Sequence, residues 1–269
     1  MKSFSHCNLK DNLISIKDQM GYVATLVIGQ EQALLFDTMG GIGDISAYLK
    51  TLTNLPINVV LSHAHFDHLG GAFLFDHVYL SEKEKCSLEW YIENHINKKI
   101  FCNALKDQQF DPKAIHGINQ PIKTEFLDLK AGMFFDLGGL TLSVFSLPGH
   151  TSGSMGILVE EMGVLLSGDA MTPIMCLFFE ESLSLNDYLQ TLEMVNNLNF
   201  DYFVTSHHQR LFEKKVLTQF KDCALFSRKN KGMHFQHSLI PEYKGMLHIY
   251  SGKHVDEDNF IAIITKCQA

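Results

Sequence analysis

Residues 63–68 read His-Ala-His-Phe-Asp-His, four side chains able to ligate a cation within six positions. No other feature narrows the fold as much, because a β-rich run, Ile57–Leu61, leads straight into this window and Leu69-Gly70-Gly71 follows it. Alternate residues of an extended segment point the same way. His63 and His65 can therefore converge on one cation, while Asp67 and His68 reach a second as the chain curls. Gly70 and Gly71 are expected to permit the curl.

The rest of the pattern supplies strands and helices in alternation. Gly21–Gly29 and Gln32–Asp37 read as a hairpin around Gln30-Glu31, with Asp37 at a strand end. A helical pattern runs through Leu49 to Leu52, and Ser81 with Glu84 forms a capping-box pattern for a helix through Leu88, Tyr91 and Ile92. Beyond Ile100 the pattern weakens until Thr124, and Asp111-Pro112 and Gln120-Pro121 predict an irregular loop or lid. Strands are expected at Leu140–Leu147, Met155–Glu160, Gly163–Ser167, Tyr202–Ser206, Met246–Ser251 and Asn259–Thr265. Ser184 with Asp187 opens a helix through Leu189, Leu192 and Val195, and another helix is expected from about Phe212 to Phe226. Strands then helices in each half point to a layered α/β or α+β sandwich, and the absence of linkers or repeats favours one domain over 1–269.

Composition excludes some functions. A formal charge of −8 repels polyanions on average, and the short basic stretch Arg228–Lys231 reads as a solvated helix end, so nucleic acid is not an expected partner. No apolar run approaches the roughly 18–20 residues of a membrane-spanning helix. The six cysteines are dispersed without a C-x-x-C pair and read as free thiols. Charges are mixed through Met1–Asp18 with no cleavage site, which predicts a cytoplasmic chain.

The window resembles the H-x-H-x-D-H signature of the metallo-β-lactamase superfamily at every specified position, and further family landmarks follow in order. His150 in Pro148-Gly149-His150-Thr151 resembles the third ligand of the first metal, Asp169 in Ser167-Gly168-Asp169 the bridging carboxylate, and His207 the last ligand of the second metal. His208 leaves that last position ambiguous by one residue. The resemblance spans Asp37 to His207 and implies an α+β fold, the four-layer αββα sandwich. It also implies two metal ions: His63, His65 and His150 on the first, Asp67, His68 and His207 on the second, and Asp169 shared.

Zinc suits such histidine-rich sets, and iron or manganese also accept nitrogen and carboxylate donors. Three protein ligands per metal would leave an open position, and a solvent hydroxide between the cations would be the nucleophile, with Asp67 and Asp169 as the catalytic carboxylates. Asp37 reads either as a hydrogen-bonding support for a ligand or as a strand-end turn. Thr151, Ser152 and Ser154 are expected to shape a turn rather than to act as nucleophiles, and Met171–Phe179 to line a substrate pocket or pack in the core. His234, His237, His248 and His254 have no metal-ligand spacing and are given no role.

The resemblance is to glyoxalase-II-like hydrolases, and it predicts a dinuclear enzyme acting on a small ester, thioester or lactone. Alternatives are a phosphodiesterase of the same fold, a flavodiiron-like redox protein and a metal-binding protein without turnover. His65 in place of a carboxylate argues against the redox reading, and Asp169 in place of a cysteine ligand disfavours antibiotic hydrolysis. The expected partner is a small-molecule substrate, and a homodimer is compatible with the sequence.

Overall fold

The computed structural model describes residues 4–93, 123–237, 240–255 and 257–267. The expected lid between Ile100 and Thr124 falls almost wholly outside the described residues, as does Cys102. Seven strands pair in sequence order in a first sheet: β1 (Phe4–Lys10), β2 (Leu13–Asp18), β3 (Val23–Ile28), β4 (Ala33–Phe36), β5 (Ile57–Val60), β6 (His77–Leu80) and β7 (Glu125–Asp128). The second sheet contains β8 (Phe134–Asp136), β9 (Thr141–Ser146), β10 (Met155–Val159), β11 (Val164–Gly168), β13 (Tyr202–Thr205) and β14 (Phe212–Glu213). A third sheet is ordered β12 (Ile174–Leu177), β17 (Ile261–Thr265), β16 (Lys244–Ser251) and β15 (Met233–Gln236). The helices are α1 (Ile45–Leu49), α2 (Phe66–Leu69), α3 (Lys85–Glu93), α4 (Leu185–Asn196) and α5 (Val216–Ser227).

β4, β10 and β11 are buried at every position, which a strand achieves only with layers on both faces. Parity shows what those layers are. Ala33 and Leu35 of β4 pack outward with Ile45 and Leu49 of α1 and with Leu88 and Tyr91 of α3. Leu34 and Phe36 pack inward against Val144, Ile157, Val164 and Leu166 of the second sheet. From that sheet Leu158, Leu165 and Phe203 face out to Tyr188 and Leu192 of α4, to Leu217 and Phe220 of α5, and to Ile261 and Ile263 of β17. Three successive cores define the four layers αββα.

Strand direction gathers the loops that matter. β4 and β5 are parallel. β9 and β11 both run antiparallel to β10, and β11 and β13 are parallel. Asp37, His63, His150, Asp169 and His207 all follow the C-terminal ends of these strands, so both sheets deliver their loops to one rim.

Several local expectations change. β1 and β2 form a hairpin that periodicity did not indicate; in β1 only Phe4 is fully buried, and polar residues outnumber apolar ones. The region expected as a helix from Phe212 opens as the short strand β14, and α5 begins at Val216. The Ser184–Asp187 capping box forms as expected. Ser81 makes no capping hydrogen bond, and Glu84 turns into the interior. Gly70 and Gly71 have ordinary right-handed φ values of −61° and −87°. Their role is close approach: a Cβ on Gly70 would lie 2.1 Å from the Gly40 carbonyl carbon.

Candidate metal centre

Beyond β5 the chain passes through Ser62 and His63 and winds into α2, which carries Asp67 and His68. Thr38 holds that turn: its N–H and its hydroxyl both donate to the His68 carbonyl, at 2.8 and 2.6 Å. All seven residues expected to hold metal come together. His63, His65 and His150 form one group, Asp67, His68 and His207 another, and His63, His68 and Asp169 a third; within each, the ligand atoms lie within 4.8 Å of one another. Asp169 Oδ2 stands 3.0 Å from His207 Nε2, 3.5 Å from His68 Nε2 and 3.8 Å from His150 Nε2, the position of a shared carboxylate. His208 is turned away, with Nδ1 2.9 Å from Thr205 Oγ1 and its ring against Phe212. Of the two adjacent histidines, geometry therefore selects His207.

The outer nitrogens of the rings are already engaged, which fixes which nitrogen faces inward. His150 Nδ1–H donates to the Cys176 carbonyl at 2.8 Å, leaving Nε2 for the centre. His65 is reversed: Nε2 meets Glu181 Oε1 at 2.8 Å, and Nδ1 faces inward, 3.0 Å from His150 Nε2. Asp37 is fully buried and resolves the earlier choice in favour of support. Its Oδ1 accepts from Ser62 N–H at 2.7 Å. Its Oδ2 accepts from His68 Nδ1–H at 2.8 Å, Ser62 Oγ–H at 3.0 Å and Ser206 Oγ–H at 2.5 Å. Ser62 Oγ in turn accepts from His63 Nδ1–H at 2.9 Å, so one carboxylate orients two histidines of the motif loop and, through Ser206, ties that loop to the second sheet.

Two further carboxylates were not recognised from sequence. Glu84, 1% exposed, accepts from Ala64 N–H at 3.0 Å and from Gly153 N–H at 2.9 Å, tying the motif loop to the His150 loop. Glu181 orients His65. The Ser81-x-x-Glu84 spacing suggested only a cap, and nothing local marks Glu181. Thr151 and Ser154 bond to each other and shape the His150 turn, as expected.

The donor set suits metal ions. Among the described residues, His63 Nε2, His68 Nε2 and Asp169 Oδ1 are buried without a hydrogen-bond partner, a costly arrangement unless another group satisfies them. Burial, then repulsion from His68, His65 and His150, holds His63 well below the ordinary histidine range. Burial and His65 likewise hold His150 down to about 4, so both rings present lone pairs. Burial opposes charge on His68, but Asp37, Asp67 and Asp169 outweigh it and hold that ring well above its ordinary range. Burial works against the ionised Asp169 too, and is outweighed by His207 and His68. Glu181 falls to about 2, since His65 overcomes its burial.

The centre opens into a cavity of roughly 240 Å³ beside Asp67 and His207. Phe178, Phe179, Tyr91, Phe235 and Tyr243 wall it. The segment Met171–Phe179 serves both expected roles by parity: Met175 and Leu177 enter the core, while Cys176 faces the cavity. His237, given no role from sequence, also lines it; its Nδ1 accepts from Ile240 N–H at 3.1 Å. Among the described residues no helix is long and apolar enough to cross a membrane, and the five described cysteines are free.

The family model described as the metallo-beta-lactamase superfamily matches residues 19–207. The "Probable metallo-hydrolase YqgX" of Bacillus subtilis is 30% identical over 55% of this chain and 65% of its own length, slightly under two thirds. The human acyl-coenzyme A thioesterase MBLAC2 is 26% identical over 72% of this chain and 76% of its own. A metallo-beta-lactamase family protein from Thermus thermophilus, TTHA1429, superposes with a TM-score of 0.56 at 20% identity, covering 84% of each chain.

Proposed function

The chain belongs to the metallo-β-lactamase superfamily, and from that premise we propose that it is a hydrolase that cleaves small acyl thioesters at a pair of metal ions. His63, His65 and His150 would hold the first, Asp67, His68 and His207 the second, and Asp169 both. Zinc suits the five imidazoles, and iron or manganese would also accept these donors. Bound there, the ions would supply an activated water and polarise the substrate carbonyl.

The observation that carries this reading is the convergence of unpartnered buried nitrogen and oxygen atoms at the floor of an apolar cavity. The aromatic walls bury an acyl group and keep bulk water from it. Burial holds the Tyr91 hydroxyl well above the ordinary tyrosine range, so it stays neutral. Because His237 Nδ1 accepts a backbone hydrogen bond, the neutral ring at the cavity edge carries its proton on Nε2. Asp67 and Asp169, each slightly exposed to the cavity, provide acceptors for a proton from the attacking water. Similarity to an acyl-coenzyme A thioesterase supports thioesters over phosphodiesters, as does the lack of Lys and Arg among the described residues that line the cavity.

The test is a panel of acyl thioesters, oxygen esters, lactones and phosphodiesters, assayed before and after chelation. Thioester hydrolysis should dominate, disappear on chelation and return with zinc. Chelator-insensitive cleavage, or preference for a phosphodiester, would reject the proposal.

A further inference from the structure

The third sheet separates two cavities. Phe235 and Tyr243 face the metal centre, whereas His234, Met246 and His248, on the other face, line a second cavity of roughly 810 Å³. The far walls are Leu183, Ser184 and Leu185 at the start of α4 and residues 227–232 beyond α5. This size lies within the range of small-molecule sites. Its charged lining runs against the composition of the chain. The protein has 30 acidic and 22 basic residues, yet Arg228, Lys229, Lys231 and Lys266 line this cavity and, among the described residues, no Asp or Glu does.

The basic stretch that reads from sequence as a solvated helix end thus forms one wall of a concave site, with Lys266 contributed from just beyond β17. Its floor is apolar and partly buried, from Leu177 and Met246, with buried His248 beside Thr265. Such a surface matches a ligand with an anionic end and an organic body. Clustered cations above a low-dielectric floor focus positive potential even in a chain of net negative charge.

We propose that this cavity binds a phosphorylated organic anion, with the phosphates among Arg228, Lys229, Lys231 and Lys266. The site also has a physical link to the metal centre. Lys266 Nζ donates to the carbonyls of Glu180 and Ser182, at 3.1 and 3.0 Å. Those residues flank Glu181, whose carboxylate orients His65. An anion that draws Lys266 away would loosen the strap that positions His65. The phosphate could belong to a phosphorylated thioester substrate or to a separate effector, and the same chemistry serves both.

Calorimetric titration of the full-length, metal-loaded protein with ADP, coenzyme A and uncharged adenosine tests the site. ADP and coenzyme A should bind and adenosine should not. K229E/K231E, with its circular dichroism and melting temperature retained, should bind ADP at least tenfold more weakly. The single variant K231Q, expected to weaken binding about threefold, serves if the charge reversal does not fold. A KM that rises in the variant for coenzyme A thioesters alone assigns the phosphate to the substrate. A change in kcat for an unphosphorylated thioester on adding ADP assigns it to an effector. ADP binding equal in wild type and variant would place the nucleotide at the metal centre instead and overturn the proposal, as would no saturable binding at millimolar concentration.

Discussion

Replacing Asp37 with Asn exchanges one oxygen for an NH₂ group where four donors converge. Shape and the left-handed backbone, φ 66°, are tolerated, since Asn is among the residues that adopt that region readily. Hydrogen bonding is not. With the new NH₂ toward His68, the two serine hydroxyls can rotate to accept, but the His68 Nδ1–H cannot. With the amide flipped, the NH₂ meets the Ser62 backbone N–H, which cannot accept either.

For the neutral ring, the form able to ligate a cation, the less costly response is a tautomer change that moves the His68 proton to Nε2, the nitrogen facing Asp67 and Asp169. One displaced buried hydrogen bond costs about 1–3 kcal/mol of stability. Loss of the orienting partner should weaken metal binding about 10–100-fold. Both effects are measurable, by urea denaturation and by competition with a chromophoric chelator. Asp37→Asn should therefore stay folded and lose affinity chiefly for the cation that needs His68. Unchanged affinity for both metals would refute the claim that Asp37 sets the histidine tautomer.

Glu84→Gln keeps one acceptor but points an NH₂ at a backbone N–H, so about 1–3 kcal/mol of stability should be lost in urea denaturation, with weaker metal binding. Gly168→Ala should destabilise by about 2 kcal/mol or more in the same assay, because φ is +54° and the new Cβ would lie 2.5 Å from Ser62 Cβ. Burial raises Asp18 from 3.8 to about 6, outweighing its hydrogen bonds from Tyr22 and Met20. A raised carboxylate pKa gives stability that is present below about pH 4 and lost as pH rises to 6. Asp18→Asn should flatten that slope and gain up to about 3 kcal/mol at pH 8 relative to wild type. No gain at pH 8 in urea denaturation would contradict it.

The motif His63–His68 was legible because its four donors are adjacent and follow a strand. His150, Asp169 and His207 were legible through the resemblance, since each stands at a strand end in family order. Side chains that act on distant backbone were not. Glu84 reaches Gly153 and Glu181 reaches His65 across 69 and 116 residues, and neither contact leaves a local pattern. The third sheet was read as only two late strands, because β15 is only four residues long and largely exposed. The placement of His237 at the cavity and of Arg228–Lys231 at a second one follows from that sheet, so both were out of reach with it.

Elemental analysis of the protein and two half-site variants tests the centre most directly. Wild-type chain purified without added metal and then reconstituted should hold two ions. His150→Ala and His207→Ala should each hold about one tightly, with thioester hydrolysis lost in both. One ion in the wild type, or two tightly bound ions in either variant, would contradict a shared centre built from both sheets.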